Sequence, residues 1–197
     1  MTAPKESGGD RVELWWLPVG AGGHVVVHTS RWWELLRARL ERRPPRPLFH
    51  AALELFVGDR RYVIEMTPAW GQPSAARGVV VSGPVGLRPL GRLRLFRYTI
   101  RAWPEGVLPD RGYAVSTPTV IPLARSVANE LLAEVSRVPA LTWGRRPTDA
   151  DDMWSSNSVV SWLLTTAGLD ATRLSPPADG LAPGWSAGIL VATTTRR

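Results

Sequence analysis

Apolar and polar positions divide this chain into short runs of period two and a few stretches of helical period. Residues 12–19, with Leu14, Trp15, Trp16 and Leu17, predict a buried strand. Residues 24–28 read as a second short strand. Ser30 reads as the cap of a helix running to Arg43, with Trp33, Leu36 and Leu40 on one face and Pro44-Pro45 as its stop. Residues 48–57 and 61–66 flank the turn signal Gly58-Asp59 and predict an antiparallel hairpin. Residues 79–82 predict a short strand. The Leu/Arg alternation over residues 90–103 predicts one long half-exposed strand with a bulge or bend. Residues 113–116 and 185–192 read as further strands. Residues 122–135 place Leu123, Val127, Leu131 and Val135 on one helical face.

The clearest element lies between residues 151 and 168. Ser155, Ser156, Asn157 and Ser158 stand just before Val159, Val160, Leu163, Leu164 and Ala167, which recur at helical spacing, and Gly168 follows. Short side-chain oxygens accept the free N–H groups of a first turn, and glycine suits a left-handed end. Mixed strands with a few helices predict an α+β fold, an antiparallel sheet packed against helices. One domain over 11–197 is expected, with a disordered tail over 1–10.

Composition narrows the chemistry. The chain has 197 residues and no cysteine, which excludes disulfides, a thiolate nucleophile and Cys-based metal sites. Residues 1–10 lack the regions of a signal peptide, and no apolar run approaches a membrane span, so a cytoplasmic protein is expected. Net charge is +7, from 24 basic and 17 acidic residues, and Lys5 is the sole lysine. The arginines are scattered apart from a modest cluster over 37–46, so nucleic acid is not the favoured partner. Gly20-Ala21-Gly22-Gly23 completes no phosphate-binding fingerprint. His24 and His28 have no third ligand of fitting type nearby, and no metal or organic cofactor is expected. Ten tryptophans are many for this length; some must be core, and others are candidates to line a ligand site.

His50 opens the first strand of the hairpin. If Val57 faces Arg60, then Ala52 faces Glu65, and His50, Glu54 and Glu65 share one face of the sheet. Either carboxylate is then a candidate to orient the imidazole and stabilise its cation. The polar entry to the helix at 156 is a second candidate, because free N–H groups and the positive end of the macrodipole stabilise developing negative charge.

A histidine strand, a strand ending in Glu and, after a long interval, a polar helix start together resemble the circularly permuted papain-like hydrolases. That group includes NlpC-type peptidases and lecithin:retinol-type acyltransferases. Phe49-His50-Ala51, Tyr62-Val63-Ile64-Glu65 and Ser155-Ser156-Asn157-Ser158-Val159 followed by Trp162-Leu163-Leu164 carry the likeness, over about residues 48–168. The resemblance implies a single papain-like domain acting on an amide or ester. Ser156 would be the nucleophile in place of the family's cysteine, His50 the base and Glu65 the acid. Ser158 and Glu54 are the alternatives for the first and last roles. Trp154, Asn157 and Trp162 are candidate substrate-binding residues, with Trp162 equally suited to the core. The substrate would be a small molecule, a peptide or a lipid-like compound. A serine in a site shaped for sulfur must lose its proton during attack, so an inactive, ligand- or partner-binding descendant is the rival reading. An Arg-mediated polyanion or nucleic-acid binder is the third.

Overall fold

The computed structural model describes residues 9–20, 34–70, 78–177 and 179–195. The expected strand at 24–28 and the cap at Ser30 lie outside these residues. Six strands form one sheet: β1 (Arg11–Pro18), β2 (Phe49–Val57), β3 (Arg60–Pro68), β4 (Val79–Pro84), β5 (Arg97–Pro104) and β6 (Thr119–Pro122). Their order is β4-β5-β3-β2-β1-β6, and every pairing is antiparallel. Four helices accompany them among the described residues: α1 (34–40), α2 (Arg125–Glu134), α3 (Ser156–Thr166) and α4 (Trp185–Thr195). The architecture is α+β. None of the helices is long and apolar enough to cross a membrane.

The β2–β3 hairpin turns on Gly58-Asp59 with Val57 opposite Arg60 and Leu53 opposite Ile64. Gly58 adopts φ 59°, a left-handed conformation that a side chain would strain. Its N–H donates to Asp10 Oδ1 at 2.8 Å, so residue 10, expected in the tail, is anchored to the hairpin. Alternation then sorts the strands. Leu14, Trp16, Ala51, Leu53, Ile64 and Met66 face α2 and α3 and join Leu131, Val159 and Leu163 in the main core. Trp15, Leu17, Ala52 and Val63 turn to the other face and pack with Leu108. A slip of one residue would exchange the two sets, so burial on both faces fixes the register.

Three expected strands are otherwise. Residues 88–96 form two 3-10 turns (Arg88–Arg92 and Arg94–Phe96), and the strand begins only at Arg97. Leu87, Leu93 and Leu95 are 49%, 57% and 62% exposed, so their alternation with arginine marks no buried face. Residues 113–116 form no strand; the pairing segment is β6, antiparallel to the outer edge of β1. Residues 185–192 belong to α4, because a short apolar run does not distinguish a strand from a buried helix. Gly188 lets α4 close on α3: a Cβ there would stand 2.1 Å from both Ser158 O and Ser161 Oγ.

Candidate active site

Ser155 caps α3 in an extended conformation, and its Oγ accepts the N–H of Asn157 at 3.1 Å. Ser158 Oγ accepts the Ser155 N–H at 2.9 Å, completing a reciprocal capping box. The same two hydroxyls donate outward, Ser155 to Pro183 O at 2.8 Å and Ser158 to Gly184 O at 2.7 Å. The segment before α4 is thereby strapped over the start of α3. Gly184, at φ 90°, admits no side chain, since a Cβ would lie 2.3 Å from Ser155 Oγ.

Asn157 ties this helix start to the sheet. β2 pairs with β1 from Phe49 to Phe56, but with β3 only from Leu53 onward. At the start of β2 the groups on the β3 side therefore need other partners. The Asn157 carboxamide supplies them: Oδ1 accepts the Ala51 N–H at 2.7 Å, and Nδ2 donates to Phe49 O at 3.0 Å. Nδ2 also donates to Pro183 O at 3.0 Å. The two β2 bonds bracket His50 from either side. This side chain, expected among substrate-binding residues, is buried at 3% exposure and acts as a clamp.

One residue before the clamp, Ser156 Oγ lies 2.6 Å from His50 Nδ1, although 106 positions separate the two residues. Ser156 is 7% exposed and His50 is half-buried. Burial pushes the imidazole pKa down to about 4, so the ring is neutral at pH 7. In the tautomer with hydrogen on Nε2, Nδ1 carries the lone pair that can take the Ser156 proton. The N–H groups of Asn157 and Ser158 are both held by Ser155 Oγ. Among the described residues the Ser156 N–H has no hydrogen-bond partner.

The other expected site residues have surroundings of their own. Ser158 is fully buried and its hydroxyl belongs to the capping box, not to the imidazole. Glu54 is buried among cations and an indole: Trp15 Nε1 donates to it at 2.9 Å, Arg61 lies at 3.3 Å and Arg111 at 3.6 Å. Glu65 is buried on β3 in register with Arg101 of β5. Neither carboxylate contributes to the His50 shift, whose cause is burial. Trp154 and Trp162, at 0% and 4% exposure, belong to the main core rather than to a cleft wall. Among the described residues no group of three His, Asp or Glu side chains is arranged to hold a metal. His24 and His28 lie outside them.

No known protein family, curated protein or solved structure matches this chain. The site is therefore read from its own chemistry. Pro183 and Gly184 contribute backbone carbonyls, which no side chain in the sequence announces. Asn157 was visible as a polar residue at a helix start, but nothing local announced its partners on β2.

Proposed function

We propose that the chain is a hydrolase or acyltransferase acting on an amide or ester through Ser156 and His50, in a permuted papain-like arrangement. The 2.6 Å contact between the Ser156 hydroxyl and His50 Nδ1 at the start of a buried helix carries this reading. Ser156 Oγ attacks the substrate carbonyl carbon while its proton passes to Nδ1. The carbonyl oxygen becomes an oxyanion against the Ser156 N–H. The imidazolium returns the proton to the leaving amine or alkoxide as the C–N or C–O bond breaks. Water, or an acceptor alcohol or amine, then releases the acyl group from Ser156 with His50 as base again. The substrate is a small molecule, a peptide or a lipid-like ester. A fluorophosphonate tests the proposal: it should label Ser156 in the native protein and spare the Ser156→Ala and His50→Ala variants. A native protein left unlabelled would overturn it.

A second reading has an observation of its own. His50 is displaced from 6.5 to about 4 by burial, with no carboxylate among the causes. Forming the imidazolium then costs about 3 kcal/mol more than in water, which weakens the base. That suits a retained scaffold that binds a ligand or partner without turning it over. Ser156→Cys separates the two. A thiol that iodoacetamide alkylates near neutral pH, slowed by His50→Ala, beside an inert native serine would favour the scaffold.

A further inference from the structure

The turns between β4 and β5 expose leucines and arginines together. Leu87, Leu93 and Leu95 are 49%, 57% and 62% exposed. They are interleaved with Arg88, Arg92, Arg94 and Arg97, all exposed. Trp70, 42% exposed, lies just after the end of β3 beside them: Arg94 Nε donates to Ala69 O at 3.3 Å and the Ala69 N–H to Arg97 O at 2.8 Å. Between Glu65 and Glu105 the sequence holds no acid at all. This surface is apolar and cationic together, and its own segment carries no carboxylate.

Its place in the fold is equally specific. Pro84 pairs with Arg97 and Pro68 with Tyr98, so the turns sit where β4 and β3 end and β5 begins. β2 runs opposite to β3, so its His50 end lies at that same end of the sheet. The backbone links the two regions: Trp143 N–H donates to Pro84 O at 2.9 Å, Gly86 N–H to Trp143 O at 2.9 Å, and Trp154 N–H to Arg145 O at 2.8 Å, two residues before Ser156.

We propose that residues 87–97, with Trp70 beside them, dock the protein peripherally on an anionic phospholipid surface and turn the His50–Ser156 end of the sheet toward it. Arginines meet the phosphate and carboxylate headgroups, and leucines between them enter the acyl boundary. An exposed tryptophan suits the level between the two. Charge alone would serve a nucleic acid equally. The three leucines decide against it, since phosphate contact leaves them in water while an acyl layer buries them. Docking stands whether or not Ser156 is a nucleophile.

The test is sedimentation of the full chain with vesicles of phosphatidylcholine alone and of phosphatidylcholine mixed with phosphatidylserine. Binding is expected on the mixed vesicles and not on phosphatidylcholine alone. Arg88→Glu with Arg92→Glu, and separately Leu93→Ser with Leu95→Ser, should each weaken it about tenfold or more. Both pairs are exposed, so the urea midpoint should stay native, which separates lost docking from lost folding. Several results would overturn the proposal: no binding to mixed vesicles, equal binding to both kinds, or full binding by the leucine variant. So would tight binding of a duplex DNA that only the arginine variant loses, or a self-dimer in light scattering that the leucine variant dissolves.

Discussion

Replacing Asn157 by Ala should cost about 3 kcal/mol of stability. The substitution removes three hydrogen bonds from a side chain that is 3% exposed. Pro183 O keeps the Ser155 hydroxyl as a donor at 2.8 Å. Among the described residues the Ala51 N–H and Phe49 O keep no other partner on that side of β2, where the β3 ladder has not yet begun. Each buried group left without a partner costs about 1–3 kcal/mol, partly relieved if water enters. For a chain of this size the loss lowers Tm by roughly 6–12 °C. Asn157→Asp sharpens the test through pH. As the neutral acid it can still accept from Ala51 and donate to Phe49. Ionised, it sets a buried charge against two carbonyl oxygens, so its folded pKa lies above the unfolded value of about 3.9. The folded state then holds the proton longer than the unfolded state. Stability relative to the native protein should therefore be nearly intact below the unfolded pKa and be lost as pH rises through the folded one. Urea denaturation at a series of pH values measures both. An Ala variant within about 0.5 kcal/mol of native, or an Asp variant whose deficit is the same at every pH, would refute the clamp.

Three further outcomes follow from the same geometry. His50 takes a proton at 6.5 when unfolded and resists it until about 4 when folded, so the unfolded state binds more protons in that window; native stability should fall by at most about 3 kcal/mol as pH drops through it, relative to a His50→Gln variant in parallel urea titrations. Ser158→Ala should cost about 1–2 kcal/mol through the lost cap and the abandoned Gly184 carbonyl, while fluorophosphonate labelling stays on Ser156; mass spectrometry finding the label on Ser158 in the native protein would reverse their roles. Gly188→Val forces a Cβ against Ser158 O and should lower stability by about 3 kcal/mol or more in thermal unfolding, since the obstacle is backbone that cannot swing aside.

What the sequence determined alone is whatever local chemistry specifies. The Gly58-Asp59 turn between two apolar runs dictated the hairpin and its register. The Ser155–Ser158 cluster ahead of Val159 dictated the start of α3, because capping depends on neighbours three residues apart. Residues 122–135 were legible as a helix from the spacing of Leu123, Val127, Leu131 and Val135, and α2 spans Arg125–Glu134 within them. Tertiary structure decided the rest. Leu93 and Leu95 read as the apolar face of a half-exposed strand, but burial depends on a partner surface, and none among the described residues covers them. Residues 185–192 read as a strand; only α3, approached closely at Gly188, made them a helix. Glu54 shares the hairpin face with His50, as alternation implied, yet Arg61, Arg111 and Trp15 converge on its carboxylate from other segments. The Ser156–His50 contact had both its ends in view from the sequence as a pair of motifs. The reach between them exists because β3 leaves β2 at Leu53 and the Asn157 amide takes its place, a matter of strand divergence that no local pattern encodes.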